Sequence, residues 1–331
     1  MKDNVLIIGG CGFIGHNLAI FLKKKNFNVT ILDSLSVNNS LSLKKQNVPN
    51  KKFYLDILSE RQNLIKKHKI KFVIDDARNY HSITKIIADV RPNYLIHLAA
   101  VAHANISNKD PYSTFDHSMR TLENTLDACR SLKSLKRFIF LSSSMVYGQF
   151  KKKVLSEQDI CNPLGIYASL KYGSEKLVQG YNQVFKMPYT IIRPSALYGE
   201  RCVSGRVVQK FIEAAIKKEP LQILGDGKEF LDFTYIEDLI QGISCVMKSK
   251  KSKNEIFNLT YGKSRSINEV ITIIKKTYPN LKIKYVKRDK LMPFRGTLSV
   301  SKAKKLIGYK PTNNIETGVP KLIKWYENSN F

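Results

Sequence analysis

Long apolar runs are missing from this sequence, and none reaches the ~18 residues that a membrane-crossing helix needs. Cysteine is scarce: five in 331 residues, at Cys11, Cys129, Cys161, Cys202 and Cys245. No two have C-x-x-C spacing and no Cys/His cluster has zinc spacing, so no disulfide scaffold and no metal site is expected, only reduced structural thiols. The N-terminus lacks the charged segment, apolar core and cleavage site of a secretion signal. These absences lead us to expect a soluble, cytoplasmic protein without a membrane partner. Acidic residues are also few, 27 against 55 Lys and Arg, a net charge of +28. Such an excess can mark a nucleic-acid binder. Here it is mostly lysine and is spread over the whole chain, with short clusters at 23–25 and 151–153 where helix ends or loops are expected. A steep loss of binding with salt would mark that alternative; our expectation is no nucleic-acid partner.

Apolar residues make up 43% and aromatics 10%, enough for one large globular domain or two modest ones. "VLIIGG" reads as a buried strand, "FIGHNLAIFLKKK" as a helix with Phe13, Ile14, Leu18, Phe21 and Leu22 on one face, and "NVTILD" as a second strand. "KFVIDDA", "YLIHLAA", "RFIFLSSS" and "YTIIRPS" repeat the strand pattern with helical segments between them. Alternation of this kind predicts an α/β fold, a Rossmann-type doubly wound parallel sheet. Residues 36–71 form an inserted excursion in which "LSERQNLIKKHKI" looks helical. Beyond Ser195 the pattern changes to loops, a helix over 207–218, "LQILGDG" and a helix over 267–277. We therefore expect a cofactor domain of residues 1–194 plus about 232–260, and a smaller C-terminal α/β substrate lobe of about 195–231 and 261–331.

Gly9, Gly12 and Gly15 stand between the first strand and the first helix. The first suits a tight turn, the second a close approach of backbone to a pyrophosphate, the third close helix–strand packing. The helix N-terminus adds free N–H groups and a positive dipole. Asp33, closing the second strand, is placed for a ribose 2′-hydroxyl and would repel a 2′-phosphate, so NAD is expected over NADP. Asp76, at the end of "VIDDA", is placed to meet the adenine, with Asp75 and Asp56 as rivals.

The chemistry-bearing stretch is "LSSSMVYG" followed by "YASLK". Tyr167 and Lys171 fall one helical turn apart on one face. An ammonium there favours the phenolate, and a serine hydroxyl at the strand end can bind the same substrate oxygen. These are the parts needed to take a proton from an alcohol while hydride leaves its carbon.

With "GGCGFIG", "HLAA", "SSSMVYG", "YASLK", "IIRPSALYG", "LQILGDG", "LDFTYIEDL" and "SKAKKLIGYKP", the chain resembles, over nearly its whole length, the extended short-chain dehydrogenase/reductases of the NAD-dependent epimerase/dehydratase family, which includes UDP-galactose 4-epimerase. The resemblance implies a firmly held NAD and a nucleotide-diphosphate sugar as substrate. It implies catalytic roles for Ser143, Tyr167 and Lys171. It places cofactor contacts at Gly9, Gly12, Phe13, Ile14, Gly15, Asp33, Asp76, Ala77, Leu98, Ala99, Ala100, Tyr167, Lys171 and Pro194. Family members that eliminate water or decarboxylate carry a carboxylate two positions after the catalytic Ser/Thr; here that position is Met145, after Ser144, which disfavours both reactions. Two usual diphosphate contacts are replaced, by Ala196 and Leu231, and Ser118 stands where an asparagine is usual. Candidate substrate contacts are Ser143, Ser144, His103, Arg201, Arg206 and Arg295; each arginine can equally be a surface charge, as His103 and Asn105 can be ordinary loop residues, and His97 is read as structural. The family also implies a homodimer through the helix after "DPYSTF" and the Tyr167 helix, with Leu122, Leu126, Val178 and Tyr181 as lining.

The expected function is thus an NAD-dependent nucleotide-sugar epimerase that oxidises one sugar carbinol, at C4, and returns the hydride to the other face. A dehydrogenase or ketoreductase that releases the keto-sugar is the alternative, and a non-enzymatic NAD-binding regulator a more remote one, opposed by the intact Ser143, Tyr167 and Lys171.

Overall fold

The strand-like runs assemble into one seven-stranded, wholly parallel sheet. Its strands are β1 (Asn4–Ile8), β2 (Asn28–Asp33), β3 (Lys71–Ile74), β4 (Tyr94–His97), β5 (Arg137–Leu141), β6 (Tyr189–Arg193) and β7 (Glu255–Asn258), in the spatial order β3-β2-β1-β4-β5-β6-β7. The computed structural model describes residues 2–37, 39–44, 47–102, 104–288, 291–329 and 331. The helices used below are α1 (Phe13–Lys24), α2 (Lys51–Lys67), α3 (Tyr80–Val90), α4 (Thr121–Cys129), α5 (Gly165–Phe185), α6 (Val207–Ile216), α7 (Ile236–Lys248), α8 (Ile267–Lys275) and α9 (Ile315–Glu327).

A parallel strand covered by helices on both faces is close to continuously apolar, and residues 5–8 of β1 show why the run is uninterrupted. Val5 and Ile7 face one core with Leu18 and Leu22 of α1 and Leu239 and Ile243 of α7. Leu6 and Ile8 face the other, with Ile83 and Ile87 of α3, Leu122 and Leu126 of α4 and Val178 of α5. Each such side chain contributes about 1.5–3 kcal/mol on leaving water. Leu122, Leu126 and Val178 are therefore spent inside the chain, fully buried. The expectation that they line a contact between two copies is corrected by this packing.

The order reverses between β1 and β4. The chain runs outward through β2 and β3, then returns by α3 to the other side of β1. Loops leaving the carboxyl ends of β1 and β4 diverge there and leave a crevice, the usual ligand position in such sheets.

A further core lies outside the sheet. It joins Phe211 and Ile212 of α6, Val270 and Ile274 of α8, Leu322 and Tyr326 of α9, and Phe233 and Tyr235. The excursion after β2 reaches this core: α2 begins at Lys51, well before the helical stretch read from the sequence, and its Phe53 packs on the cluster. Tyr54 donates to Glu213 Oε2 at 2.5 Å. β7 was not anticipated from the sequence; it arrives after a long detour and pairs in parallel with β6.

Candidate active site

The glycine loop follows from backbone geometry. Gly9 has φ +79°, and a Cβ there would sit 2.8 Å from the Ala99 nitrogen. At Gly15 a Cβ would meet Gly10 Cα at 2.5 Å and the Gly9 carbonyl oxygen at 2.6 Å, so only glycine lets α1 start this close to the turn. At Gly12 the nearest atom to a Cβ would be the Gly9 oxygen at 3.2 Å, so that side chain would fill the cleft rather than the protein. Gly12 is the N-cap of α1, whose first N–H groups face the crevice without a side-chain cap. These features fit the pyrophosphate of a dinucleotide.

An open cleft of about 970 Å³, counted to its mouth, runs from this loop across the sheet edge. Gly9, Gly12, Phe13, Ile14, Gly15, Asp33, Asp76, Ala77, Leu98, Ala99 and Ala100 all line it. Asp33 is held at the tip of β2 by the N–H groups of Cys11, 2.9 Å, and Leu35, 2.8 Å. Burial raises its pKa, and those two donors partly offset the shift. Asp76 accepts from the Arg78 side chain at 2.7 Å; burial alone would raise its pKa, and Arg78 carries it below the usual carboxylate range. Asp75 lines the same wall and accepts from the Asp76 N–H at 2.7 Å, whereas Asp56 is exposed on α2. Pro194 stands behind the strand end, its carbonyl accepting from Ser144 N–H at 2.9 Å.

At the far end, Tyr167 and Lys171 line a small pocket with Ala99, Ala100, Thr114, Ser118 and Phe140. Burial raises the Tyr167 pKa; hydrogen bonding with Ser143 and the positive charges of Arg206 and Arg295 pull it back. Ser143 caps the short turn Ser144–Tyr147, its hydroxyl accepting from Met145 N–H at 3.2 Å. Lys171 is 6% exposed. Its ammonium donates to the Leu141 carbonyl at 2.7 Å and stands 4.9 Å from the centre of the Phe140 ring. Burial pushes its pKa down to about 8, against the raising influence of Glu175. Beneath it, Glu175 accepts from Ser142 Oγ at 2.5 Å and from Arg193 at 2.9 and 2.6 Å, all three side chains being buried. His97 is buried between Phe138 and Phe140, and burial and Lys171 push its pKa down to about 3, so it is a neutral packing group.

The substrate-side residues separate. Arg206 lines the cleft, and its buried Nε has no hydrogen-bond partner among the described residues. Burial, with Arg206 next, lowers the Arg295 pKa to about 10, while Glu229 and Tyr167 act to raise it. Arg288 stands in the same group, 3.0 Å from Glu229. Arg201 is placed elsewhere, its Nε donating to Glu60 at 2.8 Å. Ser144 is buried. Asn105 is exposed, and His103 lies outside the described residues. Leu231 packs on the core outside the sheet and pairs with Arg265. Ala196 has φ +36°. Ser118 sits in the π-helical turn Asp116–Arg120, its hydroxyl accepting from Val101 N–H at 3.3 Å.

Several cleft residues were not foreseen: Ser34, Val37, Arg61, His117, Thr121, Val203 and Ser204. Among them, only Arg61 carried a detectable signal, a charge at an otherwise apolar position of the α2 pattern beside Ile57, Leu58 and Ile65. Among the described residues, no group of three or more His, Cys, Asp or Glu could hold a metal ion, and no helix is long and apolar enough to cross a membrane.

Comparison with known proteins agrees with this geometry. Residues 5–260 match the NAD dependent epimerase/dehydratase family. An uncharacterized UDP-glucose epimerase of Bacillus subtilis is 30% identical, with 95% of each chain covered. A UDP-glucuronate 4-epimerase of Thermodesulfobacterium geofontis is 28% identical, over 97% of this chain and 95% of that one. The crystal structure of UDP-glucuronic acid 4-epimerase from Bacillus cereus, in complex with UDP-glucuronic acid and NAD, superposes with a TM-score of 0.87 at 26% identity, over 99% of both chains. The chain belongs to the NAD dependent epimerase/dehydratase family, of the extended short-chain dehydrogenase/reductase type.

Proposed function

We propose that the protein interconverts UDP-sugars at C4, with Tyr167, Ser143 and Lys171 as its catalytic set. The carrying observation is the pocket in which Tyr167 and Lys171 meet, at one end of a wall that leads to the glycine cradle, with Ser143 among the groups that favour the phenolate. NAD supplies the acceptor and donor of hydride. Tyr167 takes the proton of the sugar hydroxyl and returns it after the keto-sugar turns; Arg206 and Arg295 favour its phenolate. Ser143 hydrogen-bonds the reacting oxygen. Lys171, one turn from Tyr167, binds the nicotinamide ribose and adds positive charge. Gly9, Gly12, Phe13, Ile14 and Gly15 hold the pyrophosphate, Asp33 a ribose, Asp76 and Ala77 the adenine end, and Leu98, Ala99, Ala100 and Pro194 the nicotinamide end. Met145 cannot remove a proton from carbon, which speaks against dehydration and decarboxylation.

The diphosphate is held by Arg206 and Arg295, in place of contacts that Ala196 and Leu231 cannot make. Crowding of guanidiniums with a buried unpartnered Nε fits an anion. Relatives named for UDP-glucuronate and UDP-glucose support UDP as the nucleotide. A homodimer through the same two helices would use Tyr181 and the exposed Tyr112, Phe115 and Val184 in place of the buried Leu122, Leu126 and Val178. Five free cysteines suit a reducing compartment, the cytoplasm. Incubation with a panel of UDP-sugars without added cofactor, with NMR of the products, tests the reading. The expected product is the C4 epimer; a released keto-sugar with accumulating NADH would make the enzyme a dehydrogenase. Sedimentation showing only monomer at micromolar concentration would remove the dimer.

A further inference from the structure

Arg61 is a guanidinium at 1% exposure whose hydrogen bonds go to a backbone carbonyl. Its Nε donates to the Arg201 carbonyl at 3.1 Å, and Nη2 donates to the same oxygen. The neighbouring side chain, Glu60, accepts from Arg201 Nε at 2.8 Å. Two consecutive residues of α2 thus grip one residue of the 199–206 loop, by backbone and by side chain. Arg201 has φ +62°, a left-handed conformation that a residue with a side chain holds only where its surroundings enforce it. Immediately beyond this grip, Val203, Ser204 and Arg206 form the cleft wall shared with Gly12, Phe13, Gly15 and Asp33, and Arg61 lines the same cleft.

We propose that Glu60 and Arg61 are cofactor-retention residues: they pin the 200–206 segment as a strap across the NAD cleft, so that NAD leaves only when the strap comes away from α2. The proposal rests on NAD occupying this cleft. Two physical arguments carry it. A carbonyl and the nearby Asp33 are modest compensation for a buried guanidinium, which burial already pushes down to about 10. A dinucleotide brings negative charge into the cleft that Arg61 lines, so bound cofactor and pinned strap stabilise each other. The chemistry also asks for retention: an epimerase must return hydride from the same cofactor molecule that received it, so release has to be slow against turnover.

The test uses the purified enzyme with its bound NAD, chased with excess isotopically labelled NAD and sampled by mass spectrometry. Glu60→Lys sets a like charge against Arg201, on a half-exposed site where folding is little affected. It is expected to speed release about 3–10-fold. Arg61→Met, which removes both bonds to the carbonyl, is expected to speed it at least about tenfold. The double variant should release NAD no faster than Arg61→Met alone, because both residues hold the same loop. On dilution Glu60→Lys should lose turnover, and added NAD should restore it, a rescue that general loss of folding would not permit. Parental release from a Glu60→Lys protein with unchanged melting overturns the proposal, whether or not Arg61→Met folds. Protein that holds no NAD in any form overturns the cofactor reading itself, and the proposal with it.

Discussion

Replacing Glu175 by glutamine should damage both folding and catalysis. The carboxylate is 1% exposed, and its partner Arg193 makes two charge-assisted bonds to it while only 3% exposed. Removing one charge from a buried pair leaves the other uncompensated, at a cost of ~3–5 kcal/mol. With about 2.1 cal/mol/K of unfolding entropy per residue, 331 residues give roughly 0.7 kcal/mol/K, so the melting temperature should fall by about 4–7 °C. Replacing both partners, Glu175→Leu with Arg193→Met, removes both charges together and should recover most of that loss. The catalytic readout is separate. Glu175 raises the proton affinity of Lys171, so in Glu175→Gln Lys171 loses its proton at lower pH and the alkaline limb of turnover moves down. Denaturant titration, calorimetry and a pH profile measure these effects. A single variant less than about 1 kcal/mol destabilised, or a double variant as weak as the single, would refute the reasoning.

Tyr167→Phe should lower turnover by ~10²–10⁴ while NAD stays bound, and Ser143→Ala should cost less, since one hydrogen bond goes and the base remains; steady-state rates with cofactor content by absorbance decide both. Gly15→Ala should yield folded protein depleted of NAD, because its Cβ would lie 2.5 Å from Gly10 Cα and push α1 off the loop. Turnover should decline on the alkaline side with an apparent pKa near 8: burial lowers the Lys171 pKa, so its ammonium is lost as pH rises through that value. A pH–rate profile with no alkaline decline below pH 9.5 would remove Lys171's charge from the mechanism. Met145→Glu should create no dehydratase, since Ser144 supplies no second acid; product NMR checks it.

Local chain chemistry determined much of this protein without reference to its tertiary structure. Residues 5–8 of β1 are all apolar because helices cover both faces, so "VLII" announced a central parallel strand. Gly9, Gly12 and Gly15 impose a turn and a close helix start that follow from absent Cβ atoms alone. Tyr167 and Lys171 share a helical face by spacing. What depends on segments distant in the chain was decided only by folding. β7 joins the sheet after some 60 residues spent outside it, and nothing within its short run marks a sheet edge. Arg201 reads like Arg206 and Arg295 as a loop cation, yet Glu60, 141 residues earlier, takes its side chain. Arg61 stands out by spacing as a charge among Ile57, Leu58 and Ile65, but only the fold, which lays α2 against the 199–206 loop, supplies its partner, the Arg201 carbonyl. Leu122, Leu126 and Val178 present an apolar stripe whether the partner is this chain or a second copy, and the packing of α4 and α5 on β4, β5 and β6 chose the former. Periodicity states that a face is buried; only the arrangement of the other elements states against what.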